Sequence, residues 1–352
     1  KEAPEITINN GQDNWQNEEI TISGTVKNEE KCEVEKIDCY PITSLKGVYW
    51  TTDKDELIQD EEHRATIDAE NDKWEWMEDQ EQNKTYYFYA VDEAGNVSGF
   101  VEKNVRIDKS KPVISSFYFS TEEPIEEPIY FRPFGTFANH VIKVEVRADD
   151  DASDIDEVVL YLSKDGEEET LGGEKVRSGV FVFTLREEDF QDGLEISAKA
   201  KDVAGNESEI VKALDANQDF EDNQISSNLV LISSQKPTLN VRFDDPVYSN
   251  QEQNWYQNGN INIYLNAYSE YAGIHRISVS INGEEVEKDA EGNAINDPSF
   301  AEQIVKESKE ITINANEYAK NGRNELTIVV EDNSGNQVTD TKEFFVDQNP
   351  AE

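Results

Sequence analysis

Apolar and polar residues alternate with a period of two in many short runs of the chain, which is the pattern of β-strands with one buried face. The run TYYFYAV places Tyr86, Phe88 and Ala90 on one side. Two later runs, LEISAKAK and ELTIVV, align with it and contribute the inward sets Ile196, Ala198 and Ala200, and Leu326, Ile328 and Val330. The pattern therefore predicts the same strand three times.

A second predicted strand lies upstream of each run, in GVYWTTDK, EVVLYLSKDG and RISVSINGEE. Its inward positions are Val48 and Trp50, then Val158, Leu160 and Leu162, and then Ile277, Val279 and Ile281. Trp74 and Trp76 share one face of another strand, and core packing is the better interpretation because Phe181 and Phe183 occupy that strand in the second repeat. Only residues 187–193 and 298–308 are predicted to form a helical turn or two.

An Asp-x-x-Gly-Asn pattern follows each of the runs TYYFYAV, LEISAKAK and ELTIVV. Its residues are Asp92, Gly95 and Asn96, then Asp202, Gly205 and Asn206, and then Asp332, Gly335 and Asn336. Glycine accepts a positive φ without steric cost, asparagine tolerates one, and an aspartate side chain can accept hydrogen bonds from loop N–H groups. The pattern therefore predicts a β-hairpin in each repeat.

Prolines mark the predicted boundaries between the repeats. Pro4, Pro112, Pro237 and Pro350 each open a stretch such as KPVISS or KPTLNV, and proline suits the first residue of an edge strand because it has no N–H group. We therefore expect modules at residues 1–110, 111–235 and 236–348, with DQNPAE beginning a further module of a longer array. Modules of about 110 residues with several short strands predict an all-β fold of three tandem immunoglobulin-like β-sandwich modules.

The chain also resembles the bacterial immunoglobulin-like repeats of large exported and cell-surface proteins, of the type found in Gram-positive anaerobes. The residues that carry the resemblance are the Asp-x-x-Gly-Asn hairpins, the linker RIDKSKP, the run FGTFANHVIKVEV and the segment DDDASDIDEVVLYLSKDG. The resemblance implies an extracellular, non-enzymatic segment, because such modules serve as stalks, spacers or adhesive units. It does not extend to the cysteine-containing insertion of the first module or to the long tail of the second.

Charge narrows the range of partners. The chain has 76 acidic and 32 basic residues and a net charge of -44, which disfavours nucleic acids and anionic membranes and attracts cations. No apolar run approaches the roughly 18 residues that span a bilayer, so this segment is not expected to insert into a membrane. We expect a monomer within a longer chain.

Two acidic loops are candidate calcium sites, because Ca²⁺ binds six to eight oxygen ligands. The first contains Asp149, Asp150, Asp151, Asp154 and Asp156, and the second contains Asp215, Asn217, Asp219 and Glu221. The second departs from an EF-hand, since Phe220 stands where glycine is needed and Ser226 where glutamate is needed. The alternative is that both are solvated loops, which a chain this acidic contains by chance.

Two cysteines, Cys32 and Cys39, lie in the insertion of the first module. In an exported protein they are expected to close a short loop as a disulfide. The alternative is a pair of free thiols in a protein from a reducing habitat.

Three tyrosines are candidates for a binding face. The strand register points Tyr49, Tyr87 and Tyr89 outward on the first module, where an aromatic shelf would suit a host glycan or protein. The alternative is that tyrosine is simply a good strand former. Covered rings would favour a stalk, and a contiguous exposed patch would favour binding.

No enzymatic motif stands out. The three histidines, His63, His140 and His275, fall one to a module, and neither a nucleophile elbow nor a phosphate-binding glycine loop occurs. The sequence thus favours a non-enzymatic spacer or adhesive stalk, with a binding module as the second hypothesis. A cleft with a close carboxylate pair of raised pKa would support an enzyme instead.

Overall fold

A computed structural model describes residues 3–11, 13–28, 43–121, 128–216, 225–249, 253–257 and 261–347. These residues form a nearly all-β fold, which confirms the predicted all-β class. The two short α-helices are Glu187–Phe190 (α1) and Ala213–Ala216 (α2), and 3-10 turns occur at Pro298–Ala301 and Ala315–Glu317. No helix of the described residues is long and apolar enough to cross a membrane.

The strands follow one another in three groups along the chain. The first group is Glu5–Ile8 (β1), Ile20–Lys27 (β2), Leu45–Thr51 (β3), Thr66–Asp68 (β4), Lys73–Glu78 (β5), Gln82–Asp92 (β6) and Val101–Ile107 (β7). The second is Val113–Thr121 (β8), Tyr130–Arg132 (β9), Gly135–Ala138 (β10), Ile142–Asp149 (β11), Ile155–Lys164 (β12), Glu167–Gly172 (β13), Glu174–Arg177 (β14), Val180–Leu185 (β15), Leu194–Asp202 (β16), Val211–Lys212 (β17) and Leu229–Ile232 (β18). The third is Thr238–Phe243 (β19), Tyr248–Ser249 (β20), Asn254–Gln257 (β21), Asn262–Tyr268 (β22), Ile274–Ile281 (β23), Glu284–Glu285 (β24), Lys309–Asn314 (β25), Gly322–Asp332 (β26) and Gln337–Asp347 (β27).

Each group forms two sheets. The first group forms β1-β2-β5-β4 and β3-β6-β7. The second forms β14-β15-β11-β8 and β13-β12-β16-β18-β10-β9, with β17 paired to β16. The third forms β19-β22-β25 and β20-β21-β27-β26-β23-β24.

The chain divides into two compact units. The first unit comprises Lys1–Val113, Asp149–Glu157 and Ala200–Ser208. The second comprises Ile114–Ala148, Val158–Lys199 and Glu209–Glu352.

The core of the first unit lies between its two sheets and is rich in aromatic rings. Trp74 and Trp76 from β5 and Phe88 from β6 belong to one buried cluster, which confirms their predicted inward positions. Gly24 on β2 faces the Trp74 ring, and any side chain at that position would collide with the Thr7 carbonyl oxygen. Trp50 is only half-buried, and its ring lies 4.4 Å from the imidazole of His63.

The third strand group, which lies within the second unit, has an aliphatic core. Both predicted inward sets of this group are buried, and their members are Leu326, Ile328 and Val330 on β26 and Ile277, Val279 and Ile281 on β23. The buried ring of Phe300 at the 3-10 turn joins this core, which accounts for the helical turn expected after Pro298.

The Asp-x-x-Gly-Asn segments form tight turns with a common hydrogen-bonding pattern. In each turn the aspartate carboxylate accepts a hydrogen bond from the asparagine backbone N–H, at 2.7 Å for Asp92, 2.8 Å for Asp202 and 2.9 Å for Asp332. The glycine has a φ of +82°, +99° and +81° respectively, a region that other residues rarely adopt. The same turn forms a fourth time at residues 289–293, a copy that the repeat analysis missed.

Most strand pairs are antiparallel, and three described contacts are parallel. β10 pairs in parallel with β18, and β21 pairs in parallel with β27. In the first unit, Gln16 forms a single parallel bridge with Ile107. Each of these contacts joins a segment near the beginning of a strand group to the strand that ends it.

Candidate metal centre

Three aspartates that are distant in sequence meet in the first compact unit. Asp108 directly follows β7, Asp150 directly follows β11 and Asp202 ends β16. One carboxylate oxygen from each lies within 4.8 Å of the other two. We call these three residues the aspartate cluster.

Asp108 has 0% of its surface exposed and is held by several hydrogen bonds. Its N–H donates to the Gln16 carbonyl at 2.9 Å. Its carboxylate accepts hydrogen bonds from the N–H groups of Ser110 and Ser153, both at 3.0 Å. Its carbonyl oxygen accepts a hydrogen bond from the Asn206 side-chain amide at 2.8 Å.

Asp150 contributes an oxygen that accepts no hydrogen bond from an N–H or hydroxyl group of the described residues. Its Oδ1 accepts hydrogen bonds from the N–H groups of Ala152 and Ser153, both at 3.0 Å. Its Oδ2 is buried and has no hydrogen-bond partner. The hydroxyl of Ser153, a residue only 7% exposed whose N–H binds both Asp108 and Asp150, is likewise buried without one.

Asp202 is held by its own turn. Its Oδ1 accepts hydrogen bonds from the N–H groups of Gly205 and Asn206 at 2.6 and 2.8 Å, and its Oδ2 accepts one from the Asn206 amide at 2.8 Å. Because the same amide reaches the Asp108 carbonyl, the turn joins two members of the cluster.

The described part of the chain places no cationic side chain against this cluster. Among the described residues, no lysine or arginine forms an ion pair with any of the three aspartates. Burial raises the pKa of the Asp150 carboxyl, and the nearby charge of Asp108 raises it further. Burial also opposes ionisation of Asp108, but hydrogen bonds from Ser110 and Ser153 outweigh it and hold the Asp108 pKa below its usual value. Asp108 therefore remains ionised next to a carboxyl group whose charge is disfavoured.

These residues fit a hard divalent cation. Ca²⁺ prefers carboxylate, hydroxyl and carbonyl oxygens, and it tolerates irregular geometry in which water completes the coordination. The three carboxylates and the unpartnered oxygens of Asp150 and Ser153 are of this kind. A cation would also remove the repulsion between carboxylates that lie this close.

The corresponding turn of the second unit provides a contrast. The amide of Asn336 donates to the Ser233 carbonyl at 2.7 Å, just as Asn206 donates to Asp108, so Ser233 corresponds to Asp108. The carbonyl of Gly273 accepts the N–H of Asn333, as that of Asp154 accepts Val203. Ser269, four residues before Gly273, therefore corresponds to Asp150. Two of the three acidic positions are serines, and only Asp332 remains.

The structure revises the predicted acidic site. Of the first acidic loop only Asp150 belongs to the cluster. The other four residues, Asp149, Asp151, Asp154 and Asp156, have exposed side chains. Sequence reasoning missed Asp108 and Asp202 as members of the cluster, although both lie in motifs that it recognised, the RIDKSKP linker and the second hairpin turn.

Two other predicted sites remain predictions. Asp215 lies in α2, whereas Asn217, Asp219 and Glu221 lie outside the described residues. Cys32 and Cys39 also lie outside them, so the expected disulfide stays a prediction.

Comparison with known proteins returns structural likenesses only. No family model and no curated protein sequence matches the chain. A structure of a 1.5-MDa bacterial ice-binding adhesin shares 14% identity with a TM-score of 0.33, covering 98% of both chains. A Ca²⁺-stabilised adhesin from an Antarctic bacterium shares 13% identity with a TM-score of 0.29, covering 95% of this chain and 70% of that one.

Fibronectin(III)-like modules of CbhA from Clostridium thermocellum share 14% identity with a TM-score of 0.28, covering 66% of this chain and 95% of that one. The similar structures are thus bacterial adhesin repeats and immunoglobulin- or fibronectin-like modules. At such low identities and TM-scores they carry no argument about what this chain does. The fold assignment rests on the strands and sheets described above.

The predicted aromatic shelf is wrong for two of its three tyrosines. Tyr49 and Tyr89 are buried, because residues 52–65 fold back over this face of β3 and β6. The Tyr89 hydroxyl donates to the Ile58 carbonyl, and burial raises the Tyr89 pKa to about 12. Tyr87 is half-buried, with the Lys54 ammonium 4.5 Å from its ring centre.

Replacing Tyr89 by phenylalanine should lower the free energy of unfolding by about 1 kcal/mol, because it leaves the half-buried Ile58 carbonyl without this donor. Tyr87→Phe is the matched control, since no described residue forms a hydrogen bond with that hydroxyl, and it should change the free energy of unfolding by less than about 0.5 kcal/mol. Urea denaturation of both variants measures the difference. Equal effects would mean that the hydroxyl bond does not fasten the covering segment.

Proposed function

We propose that the chain is a non-enzymatic, extracellular segment of a bacterial surface protein that acts as a spacer or adhesive array. In this proposal each of the three strand groups is one immunoglobulin-like β-sandwich, with boundaries at residues 1–110, 111–235 and 236–348. The support is that each group forms two sheets and that the hairpin turns recur at equivalent places. The resemblance of the sequence to bacterial immunoglobulin-like repeats agrees with this role.

The observation that carries the mechanism is the aspartate cluster. It collects one carboxylate from each of three chain segments that are up to 94 residues apart, and Asp150 and Ser153 add buried oxygens without partners. A bound Ca²⁺ would fasten the segment after β7 to the end of β11 and the end of β16. The cation would thus act as a structural clamp and not as a reagent.

The cluster does not support catalysis, although Asp108 and Asp150 form a close carboxylate pair in which one pKa is raised. A general acid or base must come within hydrogen-bonding distance of its substrate. Asp108 has no exposed surface, and its carboxylate is occupied by backbone N–H groups. A buried metal clamp accounts for this arrangement better than an active site.

Calcium should raise the thermal unfolding midpoint (Tm) of the protein relative to EDTA. A cation that binds only the folded state at 100 times its Kd stabilises it by about 2.7 kcal/mol, which corresponds to about 5 °C or more in a unit of this size. Differential scanning calorimetry in EDTA and in millimolar Ca²⁺ measures the shift. An unchanged Tm would contradict the clamp.

Two variants locate the cation. Asp150→Asn should abolish the calcium-dependent rise, whereas Asp151→Asn, the exposed neighbour, should keep it. In EDTA, Asp150→Asn should be no less stable than the parent protein, because it removes a carboxyl whose ionisation is disfavoured by burial. A full calcium response in Asp150→Asn would place the site elsewhere.

A further inference from the structure

Three aromatic residues lie side by side across the neighbouring strands β20, β21 and β27 of the second unit. Tyr248 on β20 is directly opposite Trp255 on β21. Trp255 is in turn opposite Phe345 on β27. Because directly paired residues project from the same face of a sheet, the three side chains form one row, which we call the aromatic row.

The aromatic row lies on the outer face of its sheet. Its sequence neighbours Tyr256, Phe344 and Val346 are buried in the core cluster, and successive side chains of a strand point to opposite faces. Tyr248 is 61% exposed, and Trp255 and Phe345 are partly exposed. The rings are therefore not needed to fill the core.

Two of the three rings are in contact. The ring centres of Trp255 and Phe345 are 5.1 Å apart and their planes meet at 33°. Strands are spaced about 4.8 Å apart, so the row from Tyr248 to Phe345 spans about 10 Å. Arg323, opposite Phe345 on β26, continues the row with an exposed guanidinium that pairs with Glu343.

Polar groups border the aromatic row. The Trp255 indole N–H donates to the Gln253 side chain at 3.3 Å. The Gln253 amide and the Arg323 guanidinium lie beside the rings and can form hydrogen bonds to a ligand rich in hydroxyl groups.

We propose that the aromatic row binds a neutral β-1,4-linked oligosaccharide. The flat C–H faces of such sugars stack on the electron-rich faces of aromatic rings, and the bordering groups can bind their equatorial hydroxyls. An anionic glycan is disfavoured by the net charge of -44. A protein partner is disfavoured by size, because a stable protein interface needs about 800 Å² from each side and three partly covered rings of about 150–250 Å² offer less.

Isothermal titration calorimetry with cellohexaose and chitohexaose tests the proposal, with maltohexaose, whose α-1,4 linkages curve the chain, for comparison. The expected result is binding of a β-1,4 hexasaccharide with a Kd on the order of 1 mM and markedly weaker binding of maltohexaose. Trp255→Ala and Tyr248→Ala should each weaken binding by about tenfold. Phe100→Ala removes an exposed ring of the first unit and should leave binding unchanged.

Several outcomes would overturn the proposal. These are no heat of binding with either β-1,4 hexasaccharide, equal binding of maltohexaose, or full binding by Tyr248→Ala. Tyr248 is largely exposed, so this variant remains informative if Trp255→Ala fails to fold. Sedimentation velocity that shows self-association through the row without saccharide binding would also overturn it. Since the row is remote in sequence from the aspartate cluster, EDTA should not affect the binding.

Discussion

Replacing Trp74 by alanine is expected to lower the free energy of unfolding of the first unit by about 3–5 kcal/mol. The side chain is 1% exposed, its ring centre lies 4.9 Å from that of Phe88, and its indole N–H donates to the Thr7 carbonyl at 3.1 Å. Alanine would leave a large cavity between the sheets and remove the indole donor to the Thr7 carbonyl. Chemical denaturation followed by circular dichroism measures the loss.

The matched control for this prediction lies on the same strand. Met77 is 58% exposed, so Met77→Ala should change the free energy of unfolding by less than about 0.5 kcal/mol. If Trp74→Ala costs no more than Met77→Ala, the aromatic cluster is not the core that stabilises this unit.

The second large effect concerns pH and arises from Asp332. Burial raises the pKa of Asp332 to about 6, although hydrogen bonds from Asn336 oppose the rise. The same carboxyl in the unfolded chain titrates near pH ~3.9. Between these values the folded state holds a proton that the unfolded state has lost. The stabilisation of the folded state by protonated Asp332 is therefore fully present below pH ~3.9 and is lost as pH rises through about 6. It amounts to at most about 3 kcal/mol.

Asp332→Asn isolates this contribution from that of the other carboxylates. Asparagine does not titrate, so urea denaturation of both proteins at pH values from 4 to 7 should show the parent losing stability relative to the variant as pH rises. Asp332 should thus contribute more to stability at pH 4 than at pH 7. A constant difference between parent and variant across this range would show that Asp332 is ionised in the folded protein at all of these pH values.

The alternation of apolar and polar residues correctly predicted the buried positions that depend only on one strand and its immediate neighbours. Leu326, Ile328 and Val330 are buried because a period of two fixes which side of a strand faces the core. Tyr89 shows the limit of that argument. Its strand is covered on both faces, and the covering residues 52–65 lie in a loop whose course no local pattern specifies.

The candidate site failed to emerge from sequence for a related reason. A run of consecutive acidic residues suggests a loop that wraps an ion, but neighbouring side chains point in different directions, and only Asp150 points inward. The other two aspartates of the cluster come from segments that meet through the Asn206–Asp108 hydrogen bond, which joins residues 98 positions apart. The fourth Asp-x-x-Gly-Asn turn shows that the motif encodes a local turn. Which distant segment the turn contacts depends on long-range folding.

The three parallel contacts have a consequence for how the chain resists force. Antiparallel hairpins such as β26–β27, when pulled from their open end, lose their hydrogen bonds one at a time, like a zipper. In the parallel pairs β10–β18 and β21–β27, and at the Gln16–Ile107 bridge, a segment near the start of a strand group is joined to the strand that ends it. Tension between the ends of a group therefore acts along these strands in shear, and their hydrogen bonds must break together. These short parallel contacts should therefore resist tension along the strands more strongly than the antiparallel hairpins do.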